Sequence, residues 1–299
     1  MLDEFDGGHV AVNGTRIFAR SGGAGAPLLL LHGFPETHLM WRSVVPVLSD
    51  RFKVVCADLR GFGQSDCPPS QRGHASYSKR TMASDMVALM ERLGHRTFFV
   101  AGHDRGGRVA YRLALDQPER VEGLAVLDII PTAVAWDEAD TEFALGYWPW
   151  SLLAQASPLP EKILSTAAEE IVDAALGGWG SQAATFPPDV RQAYIAALRD
   201  PGHARAICEE YRAAASIDRE HDQNDIANGR KIKCKVLALW GAGGPVDTWY
   251  EGLGGPIKIW RRFADDVEGQ SVRGGHFFPE QNPVETGHVL AKFFTRLRH

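Results

Sequence analysis

Between residues 27 and 130 the sequence alternates short apolar runs with stretches of helical periodicity, and this alternation constrains the fold more than any other feature. Each apolar run is long enough for one strand and lacks polar alternation, which is typical of strands buried on both faces. Strands that alternate with helices in this way predict a parallel sheet with helices packed on both faces. The predicted strands are PLLLLHG (27–33), KVVCADLRGFGQSD (53–66, running into a loop), TFFVAGHD (97–104) and VEGLAVLDI (121–129).

The alternation stops at Pro131 and returns about a hundred residues later. Residues 131–225 contain no strand-like run, only Ala-rich and aromatic helical stretches separated by Pro and Gly. The strand pattern resumes at 234–241. We therefore predict a core domain made of residues 1–130 and 226–299, with a helical cap domain, residues 131–225, inserted over the carboxyl edge of the sheet.

Composition excludes several classes of protein. The 299 residues carry 32 basic and 37 acidic side chains without Lys/Arg-rich runs, which argues against a nucleic-acid partner. No apolar run approaches the ~18 residues needed to span a membrane, and the acidic N-terminal segment does not resemble a signal peptide. The four cysteines show no metal-binding spacing and are expected to be free thiols, so we predict a cytoplasmic protein without a metal site: Cys56, Cys67, Cys208 and Cys234.

The segment G-H-D-R-G-G-R (102–108) lies between a predicted strand and a predicted helix. Its Gly102-x-Asp104-x-Gly106 spacing matches the nucleophile elbow G-x-S-x-G, with aspartate in place of serine. The loop after the first parallel strand, His32-Gly33-Phe34, can present backbone N–H groups beside this elbow. His276 follows the last predicted strand and is a candidate base, in the chain order expected of this architecture.

Two arginines accompany Asp104. Arg105 and Arg108 are three residues apart at a helix start and therefore share a face. The helix dipole disfavours cations there by ~0.3–1 kcal/mol each, so their presence indicates a bound anion. A substrate carboxylate ~5 Å from Asp104 would be repelled by about 3 kcal/mol at an effective dielectric of ~20, and a guanidinium offsets that repulsion.

Several longer segments resemble the haloacetate (fluoroacetate) dehalogenases, which are α/β hydrolases with an aspartate nucleophile. The resemblance implies an α/β-hydrolase fold, with a mostly parallel eight-stranded sheet, helices on both faces and a helical cap, and an enzyme that needs no cofactor. It also implies a small halocarboxylate as substrate and a homodimer as the assembly. The resembling segments are 103–116, AVLDIIPT (125–132), YWPW (147–150), YRAAASID (211–218) and GGHFF (274–278).

The resemblance assigns roles to individual residues. Asp104 would displace the halide at a saturated carbon and form an alkyl ester, which water activated by His276 would hydrolyse to a 2-hydroxy acid. The carboxylate partner of His276 is either Asp128 or Asp247 on position in the chain, and the resemblance favours Asp128. We expect the backbone N–H groups of Phe34 and Arg105 to polarise the ester carbonyl, and Arg105 and Arg108 to bind the substrate carboxylate.

The expected halide donors are incomplete. In the resembling family a His-Trp pair and a tyrosine hold fluoride, and Trp150 and Tyr211 match two of the three. Pro149 occupies the histidine position and has no donor. Because one donor at developing charge contributes ~10²–10³ in rate, we expect chloroacetate and bromoacetate to be favoured over fluoroacetate. Tyr147 and His103 are expected to be structural.

Two other functions compete with this interpretation. An epoxide hydrolase of the same fold would use cap tyrosines, for which Tyr147, Tyr194 and Tyr211 are candidates, but a neutral epoxide has no use for two arginines. A non-catalytic small-acid receptor would keep the pocket and lose a catalytic member, whereas Asp104 and His276 are both present.

Overall fold

The computed structural model describes residues 2–298 and contains one eight-stranded sheet with the strand order β1-β2-β4-β3-β5-β6-β7-β8. All pairs from β4 to β8 are parallel, and β1 and β2 are antiparallel neighbours at one edge. The sheet confirms the predicted fold class. The strands are β1 (Asp6–Val12), β2 (Thr15–Gly22), β3 (Ala26–Leu31), β4 (Phe52–Ala57), β5 (Phe98–His103), β6 (Val121–Leu127), β7 (Lys235–Gly241) and β8 (Val267–Val272).

The helices fall into those that cover the sheet and those that lie between β6 and β7. The first group is α1 (Val45–Leu48), α2 (Lys79–Arg92), α3 (Asp104–Asp116), α12 (Pro245–Thr248), α13 (Gly255–Trp260), α14 (Phe278–Gln281) and α15 (Pro283–Arg296). The second group is α4 (Thr132–Asp137), α5 (Thr141–Gly146), α6 (Trp148–Leu153), α7 (Leu159–Thr166), α8 (Ala168–Leu176), α9 (Pro188–Arg199), α10 (Pro201–Ala215) and α11 (Ile217–Ala227).

The strands are buried on both faces, as their unbroken apolar runs predict. In β3, Leu29 and Leu31 belong to one hydrophobic cluster, with side chains of α2 and α3, while Leu28 and Leu30 belong to the opposite cluster, with side chains of α1 and α15. This alternation follows from the two-residue period of a strand. Helices therefore cover both faces of the sheet.

The segment from residue 131 to 225, predicted as a helical cap, contains helices α4 to α11 up to the last residues of α11 and no strand among its residues. One helix differs from its prediction. The sequence of residues 38–49 predicts a single helix, but the structure divides this segment into a 3₁₀ helix, His38–Ser43, and α1, because Pro46 in the first turn of α1 cannot donate a backbone hydrogen bond to the preceding turn.

The carboxyl ends of the central parallel strands meet at one edge of the sheet. There β5 leads directly into Asp104, β6 into Asp128, and the segment after β8 carries His276. The fold thus brings together residues that are more than a hundred positions apart. None of the helices in residues 2–298 has the length and apolar character needed to cross a membrane.

Candidate active site

Asp104 lies at a sharp turn between β5 and α3 and has a left-handed backbone conformation, with φ of 43°. The neighbouring glycines make this turn possible because no side chain fits beside it. A Cβ on Gly102 would lie 2.3 Å from the carbonyl oxygen of Gly106, and a Cβ on Gly106 would lie 2.5 Å from that of Leu31. The strand–turn–helix inferred from the glycine spacing is therefore present, with the aspartate at its apex.

The carboxylate of Asp104 is held by the loop after β3. Its Oδ2 accepts a hydrogen bond from the backbone N–H of Phe34 at 2.9 Å. Burial opposes ionisation, but the surrounding charges of His276 and Arg105 outweigh it and lower the pKa of Asp104. The carboxylate is therefore ionised at neutral pH, as its predicted role as a nucleophile requires. Arg105, the second predicted N–H donor, is in the first turn of α3, where backbone N–H groups have no partner within the helix.

His276 forms a dyad with Asp128. Its Nδ1 lies 2.6 Å from Oδ2 of Asp128, whose Oδ1 accepts a hydrogen bond from the backbone N–H of Gly241 at 2.8 Å. Asp128 also has a left-handed backbone, with φ of 53°. With Nδ1 engaged, Nε2 is the ring nitrogen left to accept a proton.

Asp247, the other candidate acid, is engaged elsewhere. Its carboxylate accepts hydrogen bonds from the indole N–H of Trp240 at 2.7 Å and from the backbone N–H of Gly243 at 2.9 Å. Of the two carboxylates left open by the sequence, Asp128 is the one in contact with His276.

A second buried pair supports the histidine loop. The ring nitrogens of His103 lie 2.9 Å from Oε2 of Glu36 and 2.8 Å from the carbonyl oxygen of His276. Both partners are acceptors, so both nitrogens carry protons and His103 is an imidazolium. Burial opposes this charge, but the adjacent Glu36 raises the pKa of His103 to about 9. The sequence singled out neither Glu36 nor its pairing with His103.

The two arginines have different environments. Arg108 donates from Nη1 to the carbonyl oxygen of Ile130 at 2.9 Å and to Oγ1 of Thr132 at 3.3 Å, and it has no ion-pair partner among residues 2–298. Its Nε is buried without a hydrogen-bond partner there. Burial and the neighbouring positive charge of Arg105 lower the pKa of Arg108. Its guanidinium is thus a buried cation without a neutralising carboxylate.

Arg105, in contrast, is paired with a residue that sequence reasoning missed. Its Nε lies 2.9 Å from both carboxylate oxygens of Glu210, and Glu210 also pairs with Lys79. The guanidinium carbon lies 4.0 Å from the centre of the Tyr211 ring. Burial opposes the charge of Arg105, but Glu210 outweighs it and raises the pKa. Nη1 of Arg105 has no hydrogen-bond partner in the described part of the chain.

A small cavity brings most of the predicted residues together. Of the predicted site residues, Arg105 alone is not in its wall, although it contacts Tyr211, which is. Tyr147 and Trp179 also line the cavity; Tyr147 was expected to be structural, and no motif pointed to Trp179. The wall consists of Phe34, Asp104, Arg108, Asp128, Tyr147, Pro149, Trp150, Trp179, Tyr211 and His276.

The aromatic wall supplies donors and cation contacts. The guanidinium carbon of Arg108 lies 4.3 Å from the centre of the Trp150 ring, which favours the cation by a cation–π interaction. No residue between 2 and 298 hydrogen bonds to the indole nitrogen of Trp150 or to the hydroxyl of Tyr211. Pro149 lines the cavity with its apolar ring and has no hydrogen-bond donor. Across the same residues there is no group of His, Cys, Asp and Glu side chains that could hold a metal ion.

Comparison with known proteins identifies the family. The model of the alpha/beta hydrolase fold matches residues 26–283. The chain is 40% identical to a fluoroacetate dehalogenase from Burkholderia sp. over all of this chain and 96% of the relative. It is 31% identical to a soluble epoxide hydrolase from Corynebacterium sp. (strain C12), with 96% of each protein covered. A crystal structure from Nostoc sp. PCC 7120, described provisionally as an alpha/beta hydrolase, superposes with a TM-score of 0.94 at 44% identity, covering 99% of both chains. The chain therefore belongs to the alpha/beta hydrolase fold family, and its resemblance to the haloacetate dehalogenases is confirmed.

Proposed function

We propose that this protein is a hydrolytic dehalogenase of short 2-haloacids that works through an ester of Asp104 and releases halide and a 2-hydroxy acid. Chloroacetate and bromoacetate are its favoured substrates. The proposal assigns tasks in two successive steps to seven of the ten residues in the cavity wall. It also agrees with the name of the relative from Burkholderia sp., a fluoroacetate dehalogenase.

The observation that carries this proposal is the buried guanidinium of Arg108. It lines the same cavity as Asp104 and has no carboxylate partner among residues 2–298. A buried unpaired charge is costly, and an anionic ligand removes that cost. The carboxylate of a haloacid is such an anion, and a planar guanidinium binds it through two hydrogen bonds. Nη1 of Arg105 also has no partner in the described chain, but Arg105 does not line the cavity, so Arg108 is the main binding group for the substrate carboxylate.

In the first step a carboxylate oxygen of Asp104 attacks the carbon that bears the halogen. A carbon–oxygen bond forms, the carbon–halogen bond breaks, and the electron pair leaves with the halide. The lowered pKa of Asp104 keeps the nucleophile ionised. Trp150 and Tyr211 donate hydrogen bonds to the departing halide, where donors are most effective in a dry pocket.

In the second step water hydrolyses the ester. Nε2 of His276 takes a proton from water, and Asp128 at 2.6 Å stabilises the resulting imidazolium. The hydroxide attacks the carbonyl carbon of the Asp104 ester, and the bond from that carbon to the ester oxygen of the substrate breaks. The imidazolium of His276 returns its proton to the leaving alkoxide, which restores the aspartate and frees the 2-hydroxy acid. The N–H of Phe34, already 2.9 Å from Oδ2 of Asp104, stabilises the oxyanion together with the N–H of Arg105.

The dimensions of the site favour small acids. The cavity volume of about 20 Å³ is far below the ~300–1,000 Å³ typical of ligand pockets. Trp150, Tyr211 and Phe34 in its wall are all buried. Long or branched haloacids therefore do not fit without displacement of aromatic side chains.

A single turnover in heavy-oxygen water tests the reaction. After one equivalent of chloroacetate, mass spectrometry of the peptide containing Asp104 is expected to show heavy oxygen in that carboxylate, with stoichiometric chloride release. Label in the product alone would mean direct attack by water and would contradict the ester mechanism. Asp104→Asn, which keeps the shape of the side chain and removes its charge, is expected to release no chloride.

An epoxide hydrolase remains the alternative because of the tyrosines. Tyr147 and Tyr211 both line the cavity, so two phenol groups are available to an epoxide oxygen. A neutral epoxide, however, would leave Arg108 without a counterion. Turnover of styrene oxide and not of chloroacetate would support the alternative. Anion binding without turnover of either compound would instead indicate a non-catalytic receptor.

A further inference from the structure

Tyr147 lines the cavity and has no task in the mechanism above. The side chain of Tyr147 is buried, its hydroxyl has no hydrogen-bond partner among residues 2–298, and it lines the cavity next to Pro149. We infer that the Tyr147 hydroxyl donates a hydrogen bond to the leaving halogen and replaces the donor that Pro149 lacks. The inference rests on the proposed function and assigns a specificity-determining residue to it.

An unpaired hydroxyl at this position needs a ligand. Leaving a buried donor unsatisfied costs ~1–3 kcal/mol, so a buried phenol in a cavity wall implies a partner that enters the cavity. The ring is fixed in place by edge-on aromatic contacts, with centroid distances of 4.9 Å to Trp249, 5.6 Å to Trp179 and 5.8 Å to Phe143. These contacts on several sides prevent the hydroxyl from turning to another partner.

The position of Tyr147 along the chain directs the hydroxyl to the halide and not to the substrate carboxylate. Tyr147 precedes α6, and the backbone N–H of Trp150 donates to its carbonyl oxygen at 3.0 Å. Residues three apart in such a turn share a face. Phe143 packs against both rings, with centroid distances of 5.8 Å to Tyr147 and 5.4 Å to Trp150. The phenol and the proposed halide donor Trp150 thus belong to one wall, with Pro149 between them.

In the inferred role the Tyr147 phenol donates a hydrogen bond to the halogen and does not transfer its proton. As the carbon–halogen bond breaks, negative charge accumulates on the halogen, which accepts hydrogen bonds and leaves as the halide. Burial, together with the negative charge of Asp128, raises the pKa of Tyr147 well above its ordinary value. The phenol therefore keeps its proton. Fluoride, the smallest halide and the poorest leaving group, gains most from such a donor, so we expect any turnover of fluoroacetate to depend on Tyr147 more than turnover of the other haloacetates.

The test compares ester formation from fluoroacetate, chloroacetate and bromoacetate in Tyr147→Phe by single-turnover rapid quench. The fluoroacetate rate is expected to fall at least 10-fold more than the bromoacetate rate, with chloroacetate between them. Tyr250→Phe is the matched control, since Tyr250 is a buried tyrosine outside the cavity wall. It is expected to leave the ratios unchanged. An equal loss with all three substrates, or no loss, would overturn the inference.

Halide binding provides a readout that does not need turnover. Quenching of tryptophan fluorescence by fluoride and bromide reports their affinities for the free protein. Tyr147→Phe is expected to weaken the binding of fluoride more than that of bromide, and unchanged affinities for both halides would contradict the inference. If the unaltered protein shows no turnover of any haloacid, the proposed function fails. If it turns over haloacids and Tyr147→Phe keeps the wild-type ratios, only the role of Tyr147 fails.

Discussion

Nε of Arg105 lies 2.9 Å from both carboxylate oxygens of Glu210, and this contact changes the charge balance of the site. Sequence reasoning counted Arg105 and Arg108 as equal cations facing the substrate. Glu210 neutralises the first and fixes its orientation, which leaves Arg108 as the arginine in the cavity wall. Under the proposed function, recognition of the anionic substrate therefore depends chiefly on Arg108.

Replacing Arg108 by Met is expected to lower kcat/KM for chloroacetate by about 10–100-fold, since a hydrogen bond to a charged group contributes ~1.5–3 kcal/mol. The neutral analogue chloroacetamide provides the control, because it gains little from a guanidinium. Steady-state chloride release with both compounds is expected to show that the preference for the acid is largely lost. A similar fall with acid and amide would contradict carboxylate binding by Arg108.

Glu210→Gln is expected to destabilise the fold. The substitution leaves Arg105 without its buried counterion, whereas Lys79 keeps Asp218 at 3.3 Å, and breaking a buried pair costs ~3–5 kcal/mol. Denaturant unfolding measures the change. Asp137→Asn is the matched control, because the Asp137–Arg219 pair is exposed and such pairs contribute only ~0–1 kcal/mol. Equal stability of the two variants would show that the buried charge of Arg105 does not need Glu210 as its counterion.

Asp128→Asn is expected to stop the reaction after the first step. In the proposed mechanism, ester formation needs only Asp104, whereas hydrolysis needs His276 as the base, whose Nδ1 lies 2.6 Å from Oδ2 of Asp128. Intact-protein mass spectrometry after addition of chloroacetate is expected to show an accumulated alkyl ester. Asp247→Asn removes the competing carboxylate, which contacts Trp240 and Gly243, and is expected to keep full turnover. The reverse result would assign the acid to Asp247.

Pro149→His is expected to raise fluoroacetate turnover relative to chloroacetate by about 10-fold or more, since a donor at a developing anion contributes ~10²–10³ in rate. Pro149 lies in the first turn of α6, where its missing N–H costs the helix nothing and where histidine is tolerated. Fluoride and chloride release under identical conditions gives the ratio. An unchanged ratio would show that the position does not face the leaving group.

The stability of the fold is expected to fall as pH rises towards 9. Glu36 raises the pKa of His103 to about 9, so the stability from this imidazolium is complete below its usual pKa of 6.5 and is lost between 6.5 and 9. Burial, with Glu36, raises the pKa of Glu280 to about 8 despite the contact with Arg42. Keeping this carboxyl protonated costs the folded state increasing free energy from pH 4.5 to 8.

Glu36→Gln removes the charge that acts on both groups. Thermal unfolding of this variant is expected to depend less on pH between 4.5 and 9 than unfolding of the unaltered protein, while its stability near pH 6 is lower because His103 loses its ion pair. The hydroxyl of Tyr194 lies 3.0 Å from Oε1 of Glu280 and is a further polar group beside this carboxyl. Parallel pH profiles for the two proteins would rule out Glu36 as the cause.

The parts of the molecule that the sequence predicts are those governed by local pattern. Apolar runs such as 27–33 identify buried strands, and the spacing of Gly102 and Gly106 identifies the turn at Asp104, because both depend on near neighbours. The length of the helical segment that begins at Pro131 is predicted because this part of the sequence contains no strand-like apolar runs. The break between the 3₁₀ helix and α1 at residue 44 is not predicted in this way. Pro46 is compatible with the first turn of a new helix and with the interruption of a longer one, so its presence does not distinguish the two.

The parts that the sequence does not predict depend on contacts between distant residues. Glu210 is 105 positions from Arg105, and Glu36 is 67 positions from His103. No spacing rule connects such pairs, and a glutamate in a helix is usually solvated. An arginine at a helix start beside a nucleophile does, however, suggest a search for an acidic partner in the cap, and such a search would have included Glu210.

The two carboxylates of the site both sit on left-handed backbone, at φ of 43° for Asp104 and 53° for Asp128. Each such conformation costs of order 1–3 kcal/mol in a non-glycine residue, and only the surrounding structure maintains it. Glycine would relieve the cost at either position and remove the functional group with it. At these two positions a substitution that stabilises the fold removes the carboxylate of the site. We therefore expect more thermostable variants of this chain to carry their stabilising substitutions at other positions.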